Sequence, residues 1–159
     1  MDKEFKKWKE FEDSKEWISY ELKIYGDEFV EYDKYRDLIV ETLQKIPKDE
    51  RDNVLIDAIF MVVIDYGQVR SLHIPNPKGN KMIEQPVILL NFALMEKESC
   101  SEYYMMDVVA HEIAHFSLGH HETKSKNKTE WMNREKEADD LIEKWGFKRT
   151  NYDVYKRRE

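Results

Sequence analysis

Cysteine is nearly absent from this sequence, because Cys100 is the only one among 159 residues. An intrachain disulfide is therefore excluded, and such a composition is typical of a protein from a reducing compartment. Cys100 itself has no evident general-base partner, so we interpret it as a helix-start residue rather than as a nucleophile.

Long apolar runs and an excess of positive charge are also missing. No stretch reaches the about 18 consecutive apolar residues of a membrane-spanning helix, and residues 1–7 lack the apolar region of a secretory signal. The formal net charge is −7, whereas a surface that binds nucleic acid must be positive. We therefore expect a soluble, cytoplasmic protein that binds neither membranes nor nucleic acids.

Apolar residues are still numerous enough to form a core. Hydrophobic residues make up 41% of the sequence and charged residues 37%, and the length is that of a single globular domain. We interpret residues 1–159 as one domain. Residues 1–33 are an N-terminal extension of uncertain structure, and residues 99–146 are predicted to form a pair of helices that bind a metal.

The strongest functional signal is the segment 111–115, which reads His-Glu-Ile-Ala-His. Residues four apart lie on the same face of a helix, so His111 and His115 can direct two imidazoles at one point, as a zinc ion requires. Glu112 is rotated off that line and can reach a water at the metal as a general base. We therefore predict that His111 and His115 are metal ligands and that Glu112 is catalytic.

The surrounding residues predict that this motif lies inside a helix. Ser99, with Glu102 three residues later, has the pattern of a capping box, and Gly119 stands where a helix should stop. A second helix is predicted after a short polar loop, with Thr129 as its N-cap and Gly146 as its stop.

A catalytic zinc site needs a third protein ligand besides the two histidines. Glu135 follows His115 at a distance that allows the first helix to end, the chain to turn and the second helix to come alongside. Asp139, one turn further on, could accept a hydrogen bond from a ligand imidazole and fix its tautomer. His121 is a competing third ligand, at the spacing of the pattern H-E-x-x-H-x-x-G-x-x-H. That pattern needs glycine where this chain has Leu118, so we favour Glu135.

The motif H-E-x-x-H followed by E-x-x-A-D resembles the gluzincin type of zinc metallopeptidase, particularly the minigluzincins and the ImmA/IrrE-like peptidases. The resemblance extends over about residues 87–147. It implies that His111, His115 and Glu135 bind Zn²⁺, that Glu112 is the catalytic base, and that Asp139 supports a ligand. It also implies a sheet before the first motif helix, with an edge strand over the cleft, and a polypeptide substrate.

The predicted fold is α+β, a small zincin-like domain whose short, mostly antiparallel sheet packs on the two motif helices. Strands are predicted at residues 59–64, at 69–74, which would form a hairpin with the first, and at 87–94, with Pro86 at the start. The sequence leaves open whether the third strand lies at the sheet edge, where it could pair with a peptide, or in the centre.

The N-terminal part is predicted to contain a helix to about Asp13 and then a hairpin that turns at Gly26. A further helix is predicted from its cap at Asp33 to Lys45, followed by a polar turn or short helix over residues 48–52.

Four residues outside the motif are weaker functional candidates. Asp107 could orient an imidazole, and His73, Tyr152 or Tyr155 could stabilise an oxyanion. Ordinary surface or pairing roles are favoured for all four.

These observations predict an intracellular zinc metallopeptidase, in which Glu112 takes a proton from the attacking water. The alternative is a regulatory interaction protein that keeps the zincin fold with little or no proteolytic activity. A structural zinc site is a third possibility and would require four protein ligands.

Overall fold

The computed structural model describes the backbone of residues 3–26, 32–62, 68–75 and 82–150. Seven helices and four strands lie within these ranges. The helices are α1 Lys3–Glu12, α2 Lys15–Glu21, α3 Tyr32–Lys45, α4 Lys48–Asp57, α5 Phe92–Lys97, α6 Glu102–Ser117 and α7 Lys128–Lys144. The strands are β1 Ile24–Gly26, β2 Ile59–Val62, β3 Gln68–Pro75 and β4 Met82–Leu90.

The four strands form one mixed sheet in the order β1-β2-β4-β3. Strand β2 pairs in parallel with β1 and with β4, and only the pairing of β3 with β4 is antiparallel. The predicted α+β class agrees with this mixture of helices and strands, but the prediction of a mostly antiparallel sheet is wrong. Parallel strands need a crossover connection, and α3 and α4 provide one between β1 and β2.

Strand β3 is the edge of the sheet beside the motif helix. It was predicted to form a hairpin with β2, but it pairs instead with β4, from Gln68 opposite Leu89 to Pro75 opposite Met82. Strand β4 is therefore central, and the hypothesis that it is an edge strand is wrong. Pro86 lies within β4, where its missing N–H is tolerated because β2 pairs with β4 only from Val87 onwards.

The N-terminal part is more helical than predicted. Helix α1 agrees with the predicted helix, but the residues predicted as the first arm of a hairpin form α2, which is capped by the Ser14 side chain. Ile18 and Leu22 are both buried, and their spacing of four is the helical period rather than the strand period. The predicted turn after Gly26 falls outside the described residues.

Helix α6 lies at the centre of the fold. It contacts α3, α4, α7 and the strands β3 and β4. Its apolar side chains join a single buried cluster with residues from the sheet and the neighbouring helices; fully buried members include Ile39, Leu43, Phe60, Ile88, Val109, Ile113 and Ile142. Because these elements pack against α6 from several sides, the backbone that carries the motif side chains has a fixed position.

The starts of the two motif helices each differ from the predicted starts by two residues. Helix α6 is capped by Ser101 rather than by Ser99, and α7 is capped by Asn127 rather than by Thr129. Cys100 accordingly precedes α6. The predicted stops are confirmed, since Gly119 and Gly146 follow the two helices with φ of 67° and 91°, which favour glycine. No helix among the described residues is long and apolar enough to cross a membrane.

Candidate metal centre

Three side chains from α6 and α7 converge on one point. The Nε2 atoms of His111 and His115 are 3.0 Å apart, and Oε2 of Glu135 lies 3.1 Å from the first and 3.2 Å from the second. Residues 111 and 115 are one helical turn apart, and α7 runs beside α6 so that residue 135 faces them. Among the described residues, these three form the group whose donor atoms could hold a metal ion.

This triangle of donor atoms fits a divalent metal. A tetrahedral zinc site with bonds of about 2.0 Å has ligand atoms about 3.3 Å apart, which is close to the three distances of 3.0–3.2 Å. Two unprotonated imidazole nitrogens and a carboxylate oxygen would repel one another at this separation unless a proton or a cation lay among them. Two imidazoles and a carboxylate are also a donor set that zinc accepts.

A carboxylate contacts the ring nitrogen of His111 that points away from the cluster. Its Nδ1 lies 2.9 Å from Oδ1 of Asp139, which is buried on α7 one turn after Glu135. An ionised carboxylate can only accept, so Nδ1 carries the proton and Nε2 is left to face the cluster. The same carboxylate oxygen accepts hydrogen bonds from the backbone N and the Oγ1 of Thr150, at 3.1 and 3.0 Å.

A second histidine contacts the ring of His115. Nδ1 of His120 lies 2.7 Å from Nδ1 of His115, and Nε2 of His120 lies 3.1 Å from Oε2 of Glu137 on α7. The sequence patterns predict neither these contacts of His120 and Glu137 nor the contact of Thr150 with Asp139. The polar segments carry no periodic signal for these contacts, because the contacts depend on how the chain folds back after Gly119 and after Gly146.

Glu112 lies beside the cluster and is 9% exposed. Burial raises the pKa of its carboxyl group, while positive charge on His115 and His111 would lower it and the charge of Glu135 raises it further. A glutamate whose pKa is raised in this way is suited to accept a proton and then to release it.

The charges of the cluster are coupled through hydrogen bonds. Burial alone would lower the pKa of His111, but Asp139 and Glu135 outweigh it and raise that pKa to about 9. Burial would likewise raise the pKa of Glu135, but its contacts with the imidazoles of His111 and His115 lower that pKa to about 2. In the metal-free protein a proton on His111 therefore occupies the position that a metal would take.

The other candidates from the sequence lie apart from this cluster. His121 stacks on Phe116, with ring centroids 5.3 Å apart, and is not among the converging ligands. Asp107 accepts a hydrogen bond from the backbone N of Lys148 rather than orienting a ligand. Burial raises the pKa of Cys100, which is unfavourable for a thiolate nucleophile. The side chains of His73, Tyr152 and Tyr155 fall outside the described residues.

A scan against protein-family models, a search of curated proteins and a search of solved structures each gave no match. The geometry and chemistry of the site are therefore the basis for a function.

Proposed function

We propose that this chain is a cytoplasmic zinc metallopeptidase of the gluzincin type, with His111, His115 and Glu135 as zinc ligands, Glu112 as the general base and Asp139 as support for His111. The observation that carries the proposal is the convergence of three metal-binding atoms from two helices, with a buried glutamate next to the first ligand. A catalytic zinc site is characterised by three protein ligands, which leave a fourth position open.

The chemistry divides between the metal and the protein. A zinc ion bound here would supply Lewis-acid chemistry, lowering the pKa of a water to about 7 and polarising a peptide carbonyl. Glu112 accepts the proton that the water loses as it attacks the carbonyl carbon. The protonated Glu112 then delivers that proton to the amide nitrogen as the peptide bond breaks. Asp139 keeps His111 in the tautomer that presents Nε2 to the metal.

The sheet edge suggests how a polypeptide could be held. Strand β3 contacts α6 and pairs only with β4 among the described strands. The backbone groups on its outer side are therefore the ones that an extended peptide could pair with. Strand β4, for which the sequence leaves this role open, lies between β2 and β3, so β3 is the strand available for it.

Metal analysis with peptide cleavage tests the proposal. The wild-type protein should bind one zinc ion, and His111→Ala and Glu135→Ala should lose it. Glu112→Gln should keep the zinc but lower kcat about 10²- to 10⁴-fold, because it removes the base. Glu143→Ala is a matched control on the exposed face of α7 and should change neither. A wild-type protein without bound zinc would overturn the proposal, and a cellular function that survives Glu112→Gln would favour the regulatory interaction protein.

A further inference from the structure

We propose that His120 and Glu137 are positioning residues that fix the ring orientation and the tautomer of His115. The proposal rests on the proposed function in one respect only, namely that His115 is a metal ligand. It assigns a role to two residues that neither the motif nor the three-ligand cluster includes.

The first support is the pair of contacts on the His115 ring. Its Nε2 faces His111 and Glu135, and its Nδ1 lies 2.7 Å from Nδ1 of His120. Both nitrogens of the His115 ring therefore have partners, and no other orientation of the ring would keep the same contacts. The His120 side chain is 11% exposed and the Glu137 side chain 60% exposed, so the chain of contacts runs from solvent to the metal cluster.

The second support is the direction of the hydrogen bonds. The ionised carboxylate of Glu137 can only accept, so Nε2 of His120 carries the proton at their 3.1 Å contact. In neutral His120 the Nδ1 atom then has a free lone pair and accepts from Nδ1–H of His115. The consequence is that Nε2 of His115 has no proton and directs its lone pair at the cluster, which is the form that binds a metal.

The third support is the anchoring of the turn that carries His120. Nη1 of Arg134 donates to the carbonyl oxygen of His120 at 3.0 Å, and Nη2 donates to Oγ1 of Thr123 and Oε1 of Glu130, at 2.8 and 3.0 Å. At the other side, the backbone N of His120 donates to the carbonyl oxygen of His115 at 3.0 Å. The turn is thus held to both motif helices, so His120 has a defined place.

Helix α7 therefore supports both ligand histidines with two carboxylates that follow its own ligand, Glu135, along the helix. Asp139 contacts His111 directly, and Glu137 reaches His115 through His120. Since Glu135, Glu137 and Asp139 lie within about one turn of one helix, a single placement of α7 sets the third ligand and the tautomers of the other two.

Nitrogen-15 NMR of the full-length protein labelled at histidine tests this assignment. In the wild type, the long-range correlations of His115 should show a proton on Nδ1 and none on Nε2. His120→Ala should leave His115 as a mixture of tautomers, with the His111 tautomer unchanged, and should raise the zinc dissociation constant about 10- to 100-fold. His120→Asn, whose amide oxygen can still accept from His115, should recover part of the affinity, and Glu137→Ala should shift both readouts in the same direction as His120→Ala.

His121→Ala is the matched control, because His121 is the adjacent histidine and stacks on Phe116 instead. It should leave the His115 tautomer and the zinc affinity unchanged. A wild-type His115 protonated on Nε2, or a folded His120→Ala or Glu137→Ala protein with wild-type affinity and tautomer, would overturn the positioning role. If the wild type binds no zinc, the proposed peptidase fails, whereas the His115 tautomer in the metal-free protein still decides this proposal.

Discussion

Oδ1 of Asp139 lies 2.9 Å from Nδ1 of His111 and accepts two hydrogen bonds from Thr150 at the same time. One oxygen atom thus connects the motif helix, the ligand helix and the segment that follows α7. These bonds and the positive charge of His111 lower the pKa of Asp139, although burial acts in the opposite direction. The carboxylate is therefore held in its ionised, accepting form at neutral pH.

Asp139→Asn tests the importance of that charge for the metal. The amide has nearly the shape of the carboxylate but does not select the Nδ1–H tautomer of His111 as strongly. We expect the zinc dissociation constant to rise about 10- to 100-fold, measured by competition with a chromophoric chelator. Asp140→Asn is the control, because Asp140 lies at the surface and its ion pair among the described residues is with Arg149. Equal zinc affinity in both variants would contradict the role of Asp139.

The raised pKa of His111 predicts a pH-dependent zinc affinity. Below about pH 9 the metal-free protein holds a proton on His111, and a metal must displace it. The apparent affinity should therefore rise about tenfold for each pH unit up to about pH 9 and then level off. Calorimetry in buffers with different ionisation enthalpies should show about one proton released per zinc at pH 7. Affinity independent of pH between 6 and 8 would contradict this coupling.

The free energy of unfolding of the metal-free protein should also depend on the protonation of His111. The pKa of His111 is raised from 6.5 to about 9 on folding, so its contribution is fully present below about pH 6.5. It is lost as the pH rises through about 9. His111→Gln should remove this alkaline decline in urea unfolding experiments between pH 6 and 9. His121→Gln, for which the described contacts include no carboxylate, should retain it.

The folded protein favours the charged form of His111 but disfavours the charged form of Glu112. Burial raises its pKa above 4.5, so its ionisation destabilises the fold increasingly as the pH rises through the folded pKa. Glu112→Gln should therefore raise the midpoint of thermal unfolding at pH 7, and the gain should shrink towards pH 4. Glu102→Gln, at the exposed start of α6, should show no such gain. A lower midpoint for Glu112→Gln at pH 7 would contradict the prediction.

The motif and its helical setting were readable from the sequence because they depend on local rules. Spacing of three and four residues placed His111 and His115 on one face, and Gly119 and Gly146 marked the two helix ends. Glu135 and Asp139 could be paired with them because a short loop between two helices makes the helices neighbours.

Contacts that depend on tertiary structure could not be predicted from the sequence. Thr150 reaches Asp139 because the chain passes back over α6 and α7 after Gly146, and polar tail residues carry no periodic signal for that path. The order of the strands could not be predicted either. Strand β3 lies between β2 and β4 in the sequence, but β2 and β4 are neighbours in the sheet. Hydrophobic pattern reports burial, not which strand lies beside which.

Gly119→Ala tests whether the turn after α6 matters for the metal site. Gly119 has a φ of 67°, where a side chain costs about 1–2 kcal/mol, although a Cβ would meet no atom closer than 3.6 Å. Gly146, with a φ of 91°, offers a matched glycine at the end of α7. Both alanine variants should lower the free energy of unfolding by about 1 kcal/mol, because both strain the same type of helix end. Only Gly119→Ala should also weaken zinc binding, since it displaces His120 from His115. Equal zinc affinity in two equally destabilised variants would show that the turn supports the fold but not the metal.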